Sequence, residues 1–281
     1  MKVRLISGII VAVIALAAIC FGGIVMNALV LFCAAVAMYE FYNAFRCKGF
    51  APITGAGILM LLIPASAFFT DFTYPGVIEF STLGGVNIFP LVITVSIFCV
   101  LAAMVFDFKK HTAADGAVTL FGGFYTAYLF SYFIILRNLD AGAYMLVLAI
   151  IGAVGADTAA FIIGSKFGKK KLAPAVSPNK TVAGSVAAFA GSTVLCTVFG
   201  VILRALGIFR LLPLYHYIVI GVILGAVSQV GDLCASAIKR YCGIKDFGNI
   251  IPGHGGILDR FDAYLLTVPV IYYYYAVFLA I

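Results

Sequence analysis

Apolar runs of about 20 residues recur along this 281-residue chain, separated only by short polar passages. A helix of that length is what a hydrocarbon layer about 30 Å thick requires. Lipid offers no hydrogen bonds, so a spanning segment pairs its own backbone as a helix or closes into a barrel. Barrel strands alternate in polarity over about 10 residues, whereas these runs are continuous, which selects helices. Composition agrees. The chain is 64% hydrophobic and 10% charged, against about 25% charged residues in soluble domains. A soluble globular domain is excluded, and the expected class is all-α, a polytopic transmembrane helical bundle.

Nine spans are predicted, at about 6–21, 23–42, 52–69, 86–106, 118–136, 143–164, 182–206, 214–238 and 262–281. Lys2 and Arg4 precede the first run. It reads as a retained span, because no small-residue cleavage site leads into a hydrophilic chain. With the N-terminus cytoplasmic, fifteen Lys and Arg residues fall on the inside, and only Arg137, Arg204 and Arg210 fall outside. That bias fits the positive-inside rule. It places two polar loops, 165–181 and 239–261, on the cytoplasmic face. The seven cysteines are scattered and none pairs at zinc-ligand spacing. They read as small core residues in a reducing setting.

The most polar passage is 236–262, SAIKRYCGIKDFGNIIPGHGGILDRFD. It holds the cations Lys239, Arg240, Lys245 and Arg260, the carboxylates Asp246, Asp259 and Asp262, and His254 among glycines. Asp232 lies just upstream inside an apolar run, Asp157 lies inside the sixth span, and Glu40 lies at the end of the second. A carboxylate at mid-bilayer costs roughly 2.5–3.5 kcal/mol on insertion scales, so Asp157 and Asp232 should face a cavity, a cation or a metal. A helix–helix ion pair would satisfy them equally. Asp259 and Asp262 share a face if helical, although one of them could serve only as a helix cap.

Asp232 with Asp259 could hold Mg²⁺, which takes one or two carboxylates and completes its shell with substrate phosphates. Gly255 and Gly256 allow close backbone approach to phosphate oxygens. An ordinary turn would use the same residues. His254 reads as a phosphate donor, a proton carrier or a packing residue. In the loop 165–181, Ser177, Lys180 and Thr181 present donors at the start of the seventh span. Lys169, Lys170 and Lys171 read as topogenic or lipid-headgroup contacts.

These residues resemble the phosphatidate cytidylyltransferase (CDP-diacylglycerol synthase) family. Its pattern is S-x-hydrophobic-K-R, four residues, K-D, then H-G-G-hydrophobic-x-D-R-hydrophobic-D. Ser236, Lys239, Arg240, Lys245, Asp246, His254, Gly255, Gly256, Asp259, Arg260 and Asp262 occupy every fixed position. The passage from Asp157 through Ser177, Lys180 and Thr181 is also similar. Val182 and Ala183 stand where an aromatic and an acid are common, and Phe161 stands where Tyr is usual.

The resemblance implies cytidylyl transfer from CTP to phosphatidate in the bilayer, with release of pyrophosphate and CDP-diacylglycerol. It implies Mg²⁺ with a second cation beside it, potassium in the family, and a homodimer. By motif position Asp232 and Asp259 are the metal carboxylates, joined by Asp262. Lys239 and His254 are catalytic, while Lys239, Arg240, Lys245, Arg260 and the loop donors bind phosphate. Asp157, Ser236 and Asp246 support them. The chain would divide into 1–140, about five spans, and 141–281, the catalytic region. The location implied is the plasma (inner) membrane with the active site facing the cytoplasm. No nucleic-acid partner is expected. A secondary transporter would also place carboxylates like Asp157 and Asp232 within the membrane, but it would not need PGHGG or the pair Asp259 and Asp262.

Overall fold

A computed structural model describes residues 2–66, 68, 82–83, 86–208 and 212–278. The cation Arg210, expected outside, and the acids Asp71 and Glu79 between the expected third and fourth spans lie outside the described residues. In chain order the elements are α1 (Lys2–Phe21), α2 (Gly23–Cys47), α3 (Thr54–Leu59), α4 (Leu62–Ser66), β1 (Thr82–Leu83), β2 (Val86–Asn87) and α5 (Ile88–Phe106). There follow α6 (Ala113–Gly123), a π-helical turn (Phe124–Tyr128), α7 (Leu129–Arg137), α8 (Gly142–Phe167), β3 (Lys171–Ala173) and β4 (Ser177–Thr181). Last come α9 (Val182–Ala205), α10 (Leu214–Cys242), α11 (Leu258–Phe261) and α12 (Tyr264–Phe278).

The protein is an all-α membrane bundle. Among the described residues six helical stretches are long and apolar enough to cross a membrane: Gly23–Cys47, Ile88–Phe106, Ala113–Arg137, Gly142–Phe167, Val182–Ala205 and Leu214–Cys242. Ile6–Phe21, Thr54–Ser66 and Tyr264–Phe278 are apolar but shorter. Phe98, Val105, Phe106, Phe161 and Val186 project largely exposed from the long helices, as lipid-facing side chains do. The expected third span is broken into α3 and α4 around Met60 and Leu61. Pro64 accounts for this, because it has no amide N–H and its ring clashes with the carbonyl four residues back.

The chain divides into two compact units. The first is Met1–Leu139 with Tyr241–Phe261, and the second is Asp140–Arg240 with Asp262–Ile281. In the first, α2 lies at the centre, with Phe41, Tyr42 and Phe45 buried. Gly122 of α6 leaves room only for the rings of Phe41 and Tyr42. The Tyr42 hydroxyl donates to the Thr119 carbonyl at 2.8 Å. Thr112 and Asp115 form a reciprocal cap at the start of α6. Asp115 Oδ1 also accepts the Ala51 amide at 2.6 Å, which ties down the turn after α2. Phe261 packs on Phe130 and Phe133 of α7, with ring centroids 5.0 and 5.6 Å apart, so the end of the motif loop is held to this unit.

In the second unit α8, α9 and α10 touch through glycines. A Cβ on Gly155 would lie 2.9 Å from the Gly191 carbonyl, and one on Gly164 would lie 3.3 Å from the Gly184 Cα. The two contacts step in opposite directions along the helices, so α8 and α9 are antiparallel. Gly225 of α10 meets the backbone of Phe189 in the same way. The basic loop between α8 and α9 is a β3–β4 hairpin, with Lys171 paired to Thr181 and Ala173 to Ser177. All seven cysteines are free thiols.

Candidate active site

The motif residues are shared between the units, and each unit builds its own cluster. In the second, Gly231 of α10 approaches the start of α12 so closely that a Cβ would sit 3.0 Å from the Ala263 Cα. That contact brings the next residue on α10, Asp232, beside the residue preceding Ala263, Asp262. Lys180 Nζ lies 2.5 Å from Asp232 Oδ2, and both side chains are partly exposed, at 23% and 30%. Ser236, one helical turn on, donates to Asp232 Oδ1 at 3.4 Å. Lys180 is held in place by its neighbour Thr181, which is 5% exposed. The Thr181 hydroxyl caps α9 by accepting the Gly184 amide at 3.1 Å.

Burial first, and then the nearby Asp232 carboxylate, push Asp262 up to about 7. Lys239 opposes that shift and Asp157 adds to it. Asp157 is in turn within electrostatic reach of Asp232 and Lys180. The second unit therefore gathers three carboxylates (Asp157, Asp232 and Asp262) and two lysines (Lys180 and Lys239). Arg240 lies exposed in the last turn of α10, and its Nε donates weakly to the Val176 carbonyl at 3.4 Å. Ser177 lies at the start of β4.

Among the described residues no three His, Cys, Asp or Glu side chains stand close enough to form a metal cage by themselves. Asp232 and Asp262 nevertheless suit Mg²⁺. Both are hard oxygen donors, and a divalent cation beside them would offset both the burial of Asp262 and its repulsion with Asp232. One or two carboxylates plus substrate phosphates is an ordinary Mg²⁺ donor set.

In the first unit the glycine loop is a compact knot. The Ile251 amide donates to the Gly255 carbonyl at 2.9 Å, and the His254 amide donates to the Ile251 carbonyl at 2.9 Å. Gly253 and Gly255 have φ of 77° and 87°, the left-handed region that glycine enters at little cost. Asp259 is 5% exposed. Its Oδ2 accepts the amides of Phe247 at 2.8 Å and Gly256 at 3.0 Å. This carboxylate, expected from motif position to bind metal, thus already organises the loop.

His254 faces α1. Its Nδ1 is 2.8 Å from the Ser7 hydroxyl, which donates to the Pro252 carbonyl at 3.0 Å. With the single hydroxyl proton given to that carbonyl, Ser7 accepts from Nδ1–H. In that tautomer Nε2 carries the ring's lone pair. Lys245, Asp246 and Arg260 are exposed.

Two residues of this knot carry no motif signal. Ser7 is an ordinary hydroxyl in an apolar run. Glu40 is 2% exposed and accepts the amides of Ile257 at 3.0 Å and Leu258 at 2.9 Å, one on each oxygen. The only available clue to Glu40 was the rarity of carboxylates in the apolar runs.

A model of the cytidylyltransferase family matches residues 2–278. The phosphatidate cytidylyltransferase of Bacillus subtilis (strain 168) is 32% identical over 283 residues, covering 99% of this chain and 98% of that protein. The protein of the same name from Synechocystis sp. is 30% identical over 313 residues, covering 99% and 97%. That from Staphylococcus saprophyticus is 31% identical over 277 residues, covering 96% and 97%. The similarity thus extends well beyond the passage 157–262 into the N-terminal helices. The chain belongs to the cytidylyltransferase family of enzymes.

Proposed function

We propose that the protein transfers the cytidylyl group of CTP to phosphatidate, forming CDP-diacylglycerol and releasing pyrophosphate. The observation that carries this reading is the cluster of Asp157, Asp232 and Asp262 with Lys180 and Lys239, found in a chain of this family. It offers carboxylates for a cation and ammonium groups for phosphate within one unit. Relatives named phosphatidate cytidylyltransferase, matching nearly the whole chain, support phosphatidate as the acceptor.

A phosphatidate oxygen attacks the α-phosphorus of CTP. A new P–O–P bond forms, the bond to the β-phosphate oxygen breaks, and pyrophosphate carries away the electron pair. The attacking phosphate is already ionised, so no strong general base is required. The barrier is charge repulsion and alignment, which fixed cations lower. Lys239 neutralises charge on the reacting phosphates, and Lys180 holds Asp232 in position. Arg240, Lys245 and Arg260 attract and orient CTP. Mg²⁺ held by Asp232 and Asp262 would supply charge neutralisation at the phosphates. Asp259 takes part through its loop, and a second cation site, potassium by family resemblance, completes the proposal.

Both polar loops face the cytoplasm in an inner membrane, where CTP is available, while the acyl tails of phosphatidate stay in lipid. The nine-span topology with a cytoplasmic N-terminus and the homodimer belong to this reading.

The test uses purified protein in detergent, supplied with Mg²⁺, CTP and phosphatidate. Pyrophosphate release that needs all three is expected. Equal release with ATP, or none with phosphatidate present, would overturn the assignment.

A further inference from the structure

Glu40 is remote in sequence from every motif residue and reaches the knot from α2. Its two oxygens take two consecutive amides, those of Ile257 and Leu258. Successive amides point together at a helix start, so this pairing fixes the turn by which the chain enters α11. Two loop glycines close around the same carboxylate. A Cβ added to either Gly248 or Gly256 would collide with it. From within the loop, Asp259 draws in Phe247 and Gly256 by their amides. Residues 247–259 are therefore clamped by two buried carboxylates, one from the loop itself and one from α2.

We propose that Glu40 is a positioning residue for the reaction: it sets the conformation of the loop that carries His254, Asp259 and Arg260. The inference rests on the function proposed above. It also gives the N-terminal helices a part in the chemistry beyond anchoring. What matters is two acceptor oxygens. A glutamine has the same size but only one acceptor, and its NH₂ would face an amide N–H.

The experiment uses the full chain in detergent. Amide hydrogen exchange is measured by mass spectrometry, alongside steady-state kinetics with Mg²⁺, CTP and phosphatidate. Glu40→Gln should speed exchange at Ile257 and Leu258 by tenfold or more while α2 stays protected. Its kcat should fall at least tenfold, with both KM values within about threefold of wild type. Glu40→Asp keeps both acceptors and should retain more activity than the isosteric Gln variant, whereas a space-filling role predicts the reverse order. If Glu40→Gln does not fold, Gly248→Ala presses on the same carboxylate and should give the same exchange pattern. Wild-type exchange and kcat in Glu40→Gln, or Gln outperforming Asp, would overturn the proposal. A wild-type protein that releases no pyrophosphate would instead overturn the enzymatic reading, and the exchange measurement would still decide whether Glu40 sets the loop.

Discussion

Gly256→Ala is the sharpest perturbation of the loop knot. Gly256 is absent from the positive-φ glycines, so the backbone itself would accept alanine. The three nearest obstacles are all atoms of the Glu40 carboxylate, against which the new methyl would be driven. That carboxylate cannot retreat without releasing the amides of Ile257 and Leu258, bonded at 3.0 and 2.9 Å. Each buried donor left unpaired costs about 1–3 kcal/mol. Restricting the unfolded chain returns about 0.4–1 kcal/mol, so the net loss for the two donors should be about 1–5.5 kcal/mol. Gly55→Ala is the control. It lies in α3 with no atom near its added Cβ, and should be neutral or gain up to about 1 kcal/mol. Thermal unfolding in detergent at one fixed scan rate compares the two. Gly256→Ala should unfold well below wild type and Gly55→Ala at or above it. Coincident midpoints for all three proteins would refute the clamp.

Other consequences follow from the second cluster. Asp232→Asn and Asp259→Asn should each abolish turnover while the protein still inserts into membranes, as checked by kinetics and membrane fractionation. Lys180→Ala removes a partly exposed ion pair, so stability should change by no more than about 1 kcal/mol. Turnover should nonetheless fall roughly 100-fold, the scale of a lost charge-stabilising donor. Asp262, raised to about 7, disfavours its ionised form in the folded protein. The stability of chelator-treated protein should therefore decline as pH rises from about 4, the unfolded value, through 7. Asp262→Asn should remove that part of the decline, measured as the difference in unfolding midpoint between pH 5 and pH 8. Lys170→Ala should be nearly silent in the turnover assay. Its side chain is exposed, and its backbone carbonyl, which accepts the Val182 amide at 2.9 Å, survives the change.

The helical architecture was legible because lipid leaves the backbone few choices, and each expected apolar stretch contains helix. The break between α3 and α4 was signalled by Pro64, but the surrounding apolar residues concealed it. Asp157 and Asp232 were legible as carboxylates with a solvation problem and Asp262 from its place in the motif, and the structure gathers them in one unit. What placed them together was the approach of Gly231 to Ala263, and no local pattern encodes which glycine meets which backbone. Glu40 was not legible as a loop anchor, since its partners lie 217 and 218 residues away. Asp259 shows the reverse limit. Motif position gave the expectation of a metal ligand, whereas in the fold its Oδ2 accepts two amides of its own loop.

The central claim is cytidylyl transfer to phosphatidate, and the position of a label in CTP tests it most directly. Purified protein with Mg²⁺ and phosphatidate is given CTP radiolabelled at either the α- or the γ-phosphate, and the lipid is extracted. Label in the lipid from α-labelled CTP, and in pyrophosphate from γ-labelled CTP, is the predicted result. Lipid labelled from the γ-phosphate would mean phosphoryl transfer instead, and unlabelled lipid in both reactions would contradict the account.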